Sequence, residues 1–207
     1  MMEQPFVNIH THHPVEEGEL TISTVGIHPW SAAKCSIDRE EDVATKKELE
    51  AAFAQVDAVG EIGLDFAAEV DCEAQKRLFV AQLKLAKKHK KPVVLHCVKA
   101  FEPTMEILAN FPLAAVIFHG FIGSVQQMNQ AVERGYYISF GERTFASPKT
   151  LKALREAPLD RIFFETDMSE EDSIDEIYDR ATKYRMESVE ELQAATFANY
   201  KRIFPNK

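Results

Sequence analysis

The chain has 207 residues, 45% of them hydrophobic, and its 33 acidic side chains outweigh 24 Lys and Arg to leave a formal net charge of −9. That length suits one large core and is short for two independent domains, so a single domain over 1–207 is expected. The acidic balance speaks against a protein that tracks duplex DNA through a broad basic groove, because such binding depends on Lys and Arg displacing phosphate counterions. It leaves open a phosphate-containing substrate met through a bound divalent ion.

Short apolar runs then alternate with helix-like stretches. In chain order the runs are 5–10 (PFVNIH), 21–28 (TISTVGIH), 56–64 (VDAVGEIGL), 92–98 (PVVLHCV), 114–121 (AAVIFHGF), 136–141 (YYISFG) and 161–167 (RIFFETD). Several are β-branched or aromatic with little alternation, as strands covered on both faces should be. The clearest helix runs from about Glu73 to Lys91, where Leu78, Ala81 and Leu85, with Phe79, Leu83 and Ala86, form one apolar arc. Asp71 and Glu73 near its start and the basic KKHKK at its end suit the helix dipole. Weaker helices are expected near 41–55, 102–110, 124–134, 148–156, 173–184 and 188–203. Strand followed by helix, repeated, reads as an α/β protein of parallel strands with right-handed crossovers. No glycine-rich phosphate loop follows the first run, which weakens a nucleotide-binding open sheet.

Cys35, Cys72 and Cys97 are odd in number, widely spaced and without a Cys-x-x-Cys pair, which argues for a reducing compartment and against a thiolate zinc site. No basic start leads into an apolar stretch and no segment approaches membrane length, so a cytoplasmic location without membrane contact is expected.

The ends of the runs carry the chemistry. His10 and His12 end the first, Glu61 lies near the end of the third, and His96 and His119 end the fourth and fifth. Glu165 and Asp167 end the last. Parallel α/β barrels build their active sites at the C-terminal ends of their strands. Any one of these histidines alone reads as a hydrogen-bonded structural residue; their shared position points to a metal site. Alternation along a strand turns His10 and His12 to one side and His13 away. Four imidazoles and two carboxylates suffice for two ions if one carboxylate bridges. The mixed nitrogen and oxygen donors fit zinc or manganese better than an all-oxygen magnesium or calcium cage, and magnesium stays among the ions to test.

These motifs together resemble the TatD-type metal-dependent deoxyribonucleases of the amidohydrolase-like barrel superfamily. The matching stretches are NIHTHH, GIHPW, VGEIGLDF, PVVLHCVKA, FHGFIGS, YISFGERTF, FFETD and the C-terminal TFANYKRIF, so the resemblance runs from about residue 6 to 204. It implies a TIM-like parallel β/α barrel. One metal would bind His10, His12 and Asp167 and a second His96 and His119, with Glu61 bridging the pair. Asp167 and Glu61 would be the catalytic carboxylates, the ions would activate water, and the reaction would be phosphodiester hydrolysis of DNA at ends or in single strands.

The chain departs from the family in four places. Only Pro14 to Val25 separate His12 from GIHPW, too few for a βα unit returning to a parallel strand, so a shortened seven-stranded barrel lacking the family's second strand is expected. Asn8 replaces the opening Asp and cannot orient an imidazole with a full charge. HCVKA replaces His-Ser-Arg-Asp-Ala, so Val98 stands at the Arg position with Lys99 beside it, and a Lys does not replace a bidentate Arg. MSEEDSIDE replaces the family's Ala-Pro segment and would repel a polyanion at the mouth.

Of the remaining residues, His28 lines the pocket or is a structural strand-end His, and Lys99 and Arg143 are the candidate phosphate contacts. Trp30 is expected partly buried rather than stacked on a base. Glu165 is expected outside the ligand set, Asp65 as a support for the ligand loop, His13 as exposed or supporting, and His89 as a solvated helix end. Besides the nuclease, two alternatives stay open. One is a binuclear hydrolase of a small ester, amide or phosphate, and the other a metal-binding protein without turnover. No protein partner is predictable; an apolar edge left by the missing unit would be covered by a second copy in a homo-oligomer.

Overall fold

The structure is a computed structural model and describes residues 4–35 and 43–207. In chain order its elements are β1 (Phe6–Val7), β2 (Glu19–Leu20), β3 (Thr24–Val25), a 3-10 helix (Pro29–Lys34), α1 (Val43–Gln55), β4 (Ala58–Asp65), α2 (Cys72–Lys88), β5 (Val93–Val98), α3 (Phe101–Leu108), β6 (Val116–Phe118), α4 (Val125–Glu133), β7 (Tyr137–Phe140), α5 (Glu142–Phe145), α6 (Pro148–Glu156), a 3-10 turn (Leu159–Arg161), β8 (Ile162–Phe164), α7 (Ile174–Thr182) and α8 (Val189–Ile203). The first two positions of the helix expected at 41–55 lie outside the described residues. No helix among the described residues is long and apolar enough to cross a membrane.

These elements fall into two compact units, Ser23–Phe118 and the N-terminal segment to Ile22 with His119–Lys207. Within Ser23–Phe118 the strands are all parallel in the order β3-β4-β5-β6. Val93, Val94 and Leu95 are fully buried, so successive side chains on both faces of β5 lack water, as a covered parallel strand requires. Helix α2 begins where the Asp71 side chain accepts the Ala74 N–H (2.7 Å), with Glu73 in its first turn and Lys87 and Lys88 in its last. Its buried face holds Leu78, Phe79, Leu83 and Ala86 together with two glutamines, Gln75 and Gln82. His89, at the C-terminal cap, is half-buried rather than solvated, and its backbone N–H donates to the Leu85 carbonyl (3.0 Å).

In the other unit β1 pairs with β2 and β7 with β8, again in parallel. Beyond β1 the chain stays extended and bridges β8 and the residues after it, Asn8 opposite Phe164 and Thr11 opposite Asp167. Ile9, Phe140, Phe163, Phe164, Tyr178 and Tyr200 are fully buried in its core. The Tyr178 hydroxyl donates to the Val7 carbonyl (3.1 Å) and pairs with Thr196 Oγ1 (2.7 Å), which is how a phenol is tolerated there.

The parallel α/β class follows the sequence pattern, but the strand count does not: eight strands, not seven, occur among the described residues. The additional one is β2. It lies within the stretch that is too short for a βα unit, and residues 8–18 make the return to a parallel ladder without a helix. Two backbone bonds, Phe6 N to Gly18 O (3.0 Å) and Asn8 N to Leu20 O (2.9 Å), hold the two-residue ladder at its ends. Among the described residues no helix lies between β1 and β2, and β2 itself is two residues long. The run 21–28 shrinks to Thr24–Val25 because the N–H and C=O of Ile27 are taken by the Gln82 side chain instead of a ladder (2.7 and 2.9 Å).

Candidate metal centre

In the unit built on β7 and β8, the chain that runs on from β1 carries His10 and His12, and both Nε2 atoms face Asp167 Oδ1, at 3.7 and 3.6 Å. The ligand atoms of these three residues all lie within 4.8 Å of one another. Asp167 is held in the left-handed region (φ 52°), a conformation Asp tolerates better than most residues. Two backbone bonds enforce it, Asp167 N to His10 O (3.1 Å) and His12 N to Asp167 O (3.0 Å). Asn8 locks the same junction from below. Its amide donates to Thr166 Oγ1 (3.0 Å) and its carbonyl accepts the Thr166 N–H (3.1 Å), so it orients backbone, not an imidazole.

His119 and Glu165 complete this cluster, and Glu165 and Asp167 offer oxygens to the same group. Glu165 is 0% exposed, and its Oε1 accepts the Gly120 N–H (2.6 Å) and faces His119 Nδ1 (3.2 Å). Burial pushes the Glu165 carboxyl up, but the nearby His119 and His10 and hydrogen bonds from His119 and Ser139 outweigh it and hold the group below the ordinary carboxylate value. A carboxylate at Nδ1 keeps the His119 proton there, leaving the Nε2 lone pair for another partner.

The unit Ser23–Phe118 holds a second cluster of His28, Glu61 and His96. The β4–β5 register shifts between Val59 and Ile62, an irregularity that re-aims Glu61. Just beyond it the strands close tightly: a Cβ on Gly63 (φ 143°) would lie 2.0 Å from the His96 carbonyl oxygen. His96 Nδ1 stands 3.4 Å from Glu61 Oε2, and His28 Nε2 stands 3.9 Å from the same oxygen. The two imidazoles differ in what holds their far nitrogens. His96 Nε2 faces Asp65 Oδ2 (3.2 Å), which draws its proton and frees Nδ1 as a lone-pair donor. His28 Nδ1 accepts the Trp30 backbone N–H (3.3 Å), so the neutral ring carries its proton on Nε2 and presents a hydrogen-bond donor.

Asp65 is the hub of this unit. Its Oδ2 accepts the Trp30 indole N–H (2.7 Å) and its Oδ1 the Ala67 N–H (2.9 Å). Burial raises its pKa, but the bonds from Trp30, Ala67 and His96 outweigh burial and leave it lowered. Gln75 grips the Asp65 backbone, accepting its N–H (2.7 Å) and donating to its C=O (2.8 Å). Gln82, two turns along the same face of α2, holds Ile27 beside His28 in the same way. Sequence reasoning missed both glutamines. Their signal was a polar residue inside the apolar arc of α2.

The donor sets fit a divalent ion. Atoms about 2.0–2.2 Å from one ion at a tetrahedral angle stand about 3.4 Å apart. The separations of 3.4 Å (His96 to Glu61), 3.6 Å (His12 to Asp167) and 3.7 Å (His10 to Asp167) lie near that value and mostly beyond hydrogen-bond reach. Lys99 and Arg143 are solvent-exposed, and among the described residues neither pairs with a carboxylate of these clusters. Trp30 differs from its expectation: it is 61% exposed, because its indole N–H reaches down to Asp65 and leaves the ring face outside.

Beside Thr11 and Thr166, in the unit that carries Asp167, lies a cavity of about 600 Å³. Its wall bears Glu16, Glu19, Glu170, Glu171, Asp172 and Glu176. Asp172 is paired with Arg180, and Glu176 caps Ser173 (2.8 Å to its N–H). The acidic segment 168–176 therefore borders the chain on either side of His12 and Asp167, as a negatively charged wall.

A family model described as TatD related DNase matches residues 10–205. Bacillus subtilis (strain 168) YabD, named an uncharacterized metal-dependent hydrolase, is 31% identical over 207 aligned residues, covering 92% of this chain and 80% of its own. Escherichia coli (strain K12) TatD, named a 3'-5' ssDNA/RNA exonuclease, is 32% identical over 205 residues, with 88% and 77% covered. Among solved structures, the TatD homologue YJJV of Escherichia coli superposes with a TM-score of 0.83 at 25% identity over 100% of both chains.

Proposed function

Because the chain belongs to the TatD-related DNase family, and is thereby a metal-dependent hydrolase of ester bonds, we propose that it cleaves phosphodiester bonds in single strands or at ends of DNA, as one cytoplasmic hydrolase domain over 1–207. The observation that carries this reading is the donor spacing in the two clusters, where carboxylate oxygens and imidazole nitrogens sit 3.4–3.9 Å apart. The exonuclease name of the Escherichia coli relative supports single strands as the substrate.

In this proposal His10, His12 and Asp167 hold one divalent ion. His96 and His119 would hold the second, and Glu61 would serve both, as the family resemblance implies. Bound ions of this kind neutralise phosphate oxygens and lower the pKa of water. The chain's own residues do the rest. Asp167 accepts the proton of the attacking water. Glu165 and Asp65 keep His119 and His96 in the tautomer that offers a lone pair to the site, and His28 donates its Nε2 proton to a phosphate oxygen. Lys99 and Arg143 add positive charge from solvent-facing positions.

The acidic cavity favours a second reading, a binuclear hydrolase of a small ester, amide or phosphate, since six carboxylates repel a polyanion more than a small molecule. The test is to quantify bound metal, reload with manganese, magnesium or zinc, and assay single- and double-stranded DNA, RNA, a generic phosphodiester and a simple ester. Turnover of DNA, abolished by Glu61→Ala and by Asp167→Ala, is the expected result. Turnover confined to the small substrates selects the second reading. Variants that cleave DNA as fast as the parent would mean that the activity belongs to a contaminant.

A further inference from the structure

We propose that the exposed face of Trp30 is a stacking platform for one planar base of the substrate; the idea rests on the phosphodiester reading and names how a nucleotide is gripped. Trp30 is the chain's single tryptophan, and it is 61% exposed. The ring's open face is turned to water, yet the ring is fixed in place. Its indole N–H donates to Asp65 Oδ2 (2.7 Å), its backbone N–H donates to His28 Nδ1 (3.3 Å), and the ring meets His28 edge-on at 4.5 Å and 77°. An exposed aromatic whose rotamer is already fixed loses little entropy when a ligand lands on it.

Its position is the second argument. Trp30 lies 6.2 Å, ring centre to ring centre, from His96, whose Nδ1 stands 3.4 Å from Glu61 Oε2. That distance is within the length of a single nucleoside, so a phosphate beside His96 and Glu61 brings its own base to the indole. Charge is the third. A chain of net charge −9 meets a nucleotide with an acidic surface, and its candidate phosphate contacts, Lys99 and Arg143, are solvent-exposed. Stacking needs no charge, because every base presents a π-face. The platform recognises a base of any sequence and ignores the bare sugar phosphate.

The experiment uses the metal-loaded full chain and two probes that differ only in the base, thymidine 5'-monophosphate and deoxyribose 5-phosphate. Neither contains a phosphodiester, and inorganic phosphate measured alongside shows whether either monoester is consumed. The single tryptophan makes intrinsic fluorescence a direct reporter of position 30. Quenching by the nucleotide and not by the sugar phosphate is expected. By calorimetry the parent should prefer the nucleotide by on the order of tenfold. Trp30→Ala should bring that preference close to one, while Trp30→Phe, which keeps a ring face and loses the bond to Asp65, should retain most of it. Equal quenching by both probes, no binding of the nucleotide, or an undiminished preference in Trp30→Ala overturns the platform, even if DNA is hydrolysed. Base-dependent quenching in a protein that hydrolyses no phosphodiester keeps the platform and removes the reaction reading instead.

Discussion

Gln75→Leu isolates what the buried glutamines of α2 contribute. Gln75 is 0% exposed and makes three bonds, with the Asp65 N–H (2.7 Å), the Asp65 C=O (2.8 Å) and the Val70 C=O (3.1 Å). Leucine fills nearly the same space and satisfies none of them. A buried polar group left unpaired costs about 1–3 kcal/mol, so the two Asp65 groups together set a loss of about 2–6 kcal/mol. Burying a leucine in place of a glutamine returns about 1–2 kcal/mol, so the middles of the two ranges put the net loss at about 2–3 kcal/mol. Urea unfolding followed by circular dichroism measures it, with Gln126→Leu on the exposed face of α4 as a control within about 0.5 kcal/mol of the parent. Loss of the clamp also releases Asp65 and, through it, His96. Turnover by the fraction still folded should therefore fall as well. A Gln75→Leu protein within about 0.5 kcal/mol of the parent would refute the accounting, because the Asp65 backbone would then have found other partners.

Three further outcomes follow from particular contacts. Gly63→Ala puts a Cβ 2.0 Å from the His96 carbonyl at φ 143°; β4 and β5 must part, and a loss of at least about 3 kcal/mol or failure to yield soluble protein is expected, so a variant of parental stability by urea unfolding contradicts the strand contact. Burial pushes the Cys97 thiol up to about 11, whereas Cys72 is exposed. With a thiol reagent at about pH 8, Cys72→Ser should remove the fast phase and Cys97→Ser should leave it unchanged. The Arg185 side chain, hydrogen-bonded to Glu187 (2.9 Å), holds that carboxyl below its ordinary value of 4.5. A carboxylate with a depressed folded-state pKa stabilises fully above its unfolded value and loses that contribution as pH falls through the folded value. The stability gap between parent and Glu187→Gln should thus be constant above about pH 5 and shrink towards zero below the ordinary value of 4.5, and a gap that widens in acid contradicts the pairing.

What the sequence made legible divides by the range of the interactions involved. Helix α2 is readable because its apolar arc and its cap at Asp71 are local, and β5 because three consecutive buried apolar side chains tolerate only a covered strand. Strand β2 is invisible for the opposite reason. Two residues carry no period, and only the bonds to Gly18 and Leu20 from the first strand's flanks create it. The four-residue α5 and the six-residue 3-10 helix at Pro29 are also short, and with the latter goes the exposure of Trp30. Hydrophobicity alone predicts that ring to be partly buried. A polar partner for its N–H, thirty-five positions away in the chain, keeps it at the surface.

The same division runs through the candidate site. Alternation along an extended chain puts His10 and His12 on one side, and it holds even though the regular ladder ends at Val7, because bridges at Asn8 and Thr11 keep the backbone extended. Alternation also keeps Glu165 near Asp167, but it is silent about their different roles. Those come from burial and partners: Glu165, wholly enclosed, accepts the N–H of Gly120 and faces His119, whereas Asp167, a third exposed, faces His10 and His12. Asp65 carries the argument further. Its neighbours Trp30, Gln75 and His96 come from three separate segments, so its lowered pKa and its hold on His96 are properties of the folded chain and of no stretch of it. Donors to a metal can be recognised by residue type at strand ends, whereas the carboxylates and amides that fix their tautomers and backbones are recognised only by contact. Mutating Asp65 or Gln75 should therefore disturb the chemistry of His96 without removing a donor atom.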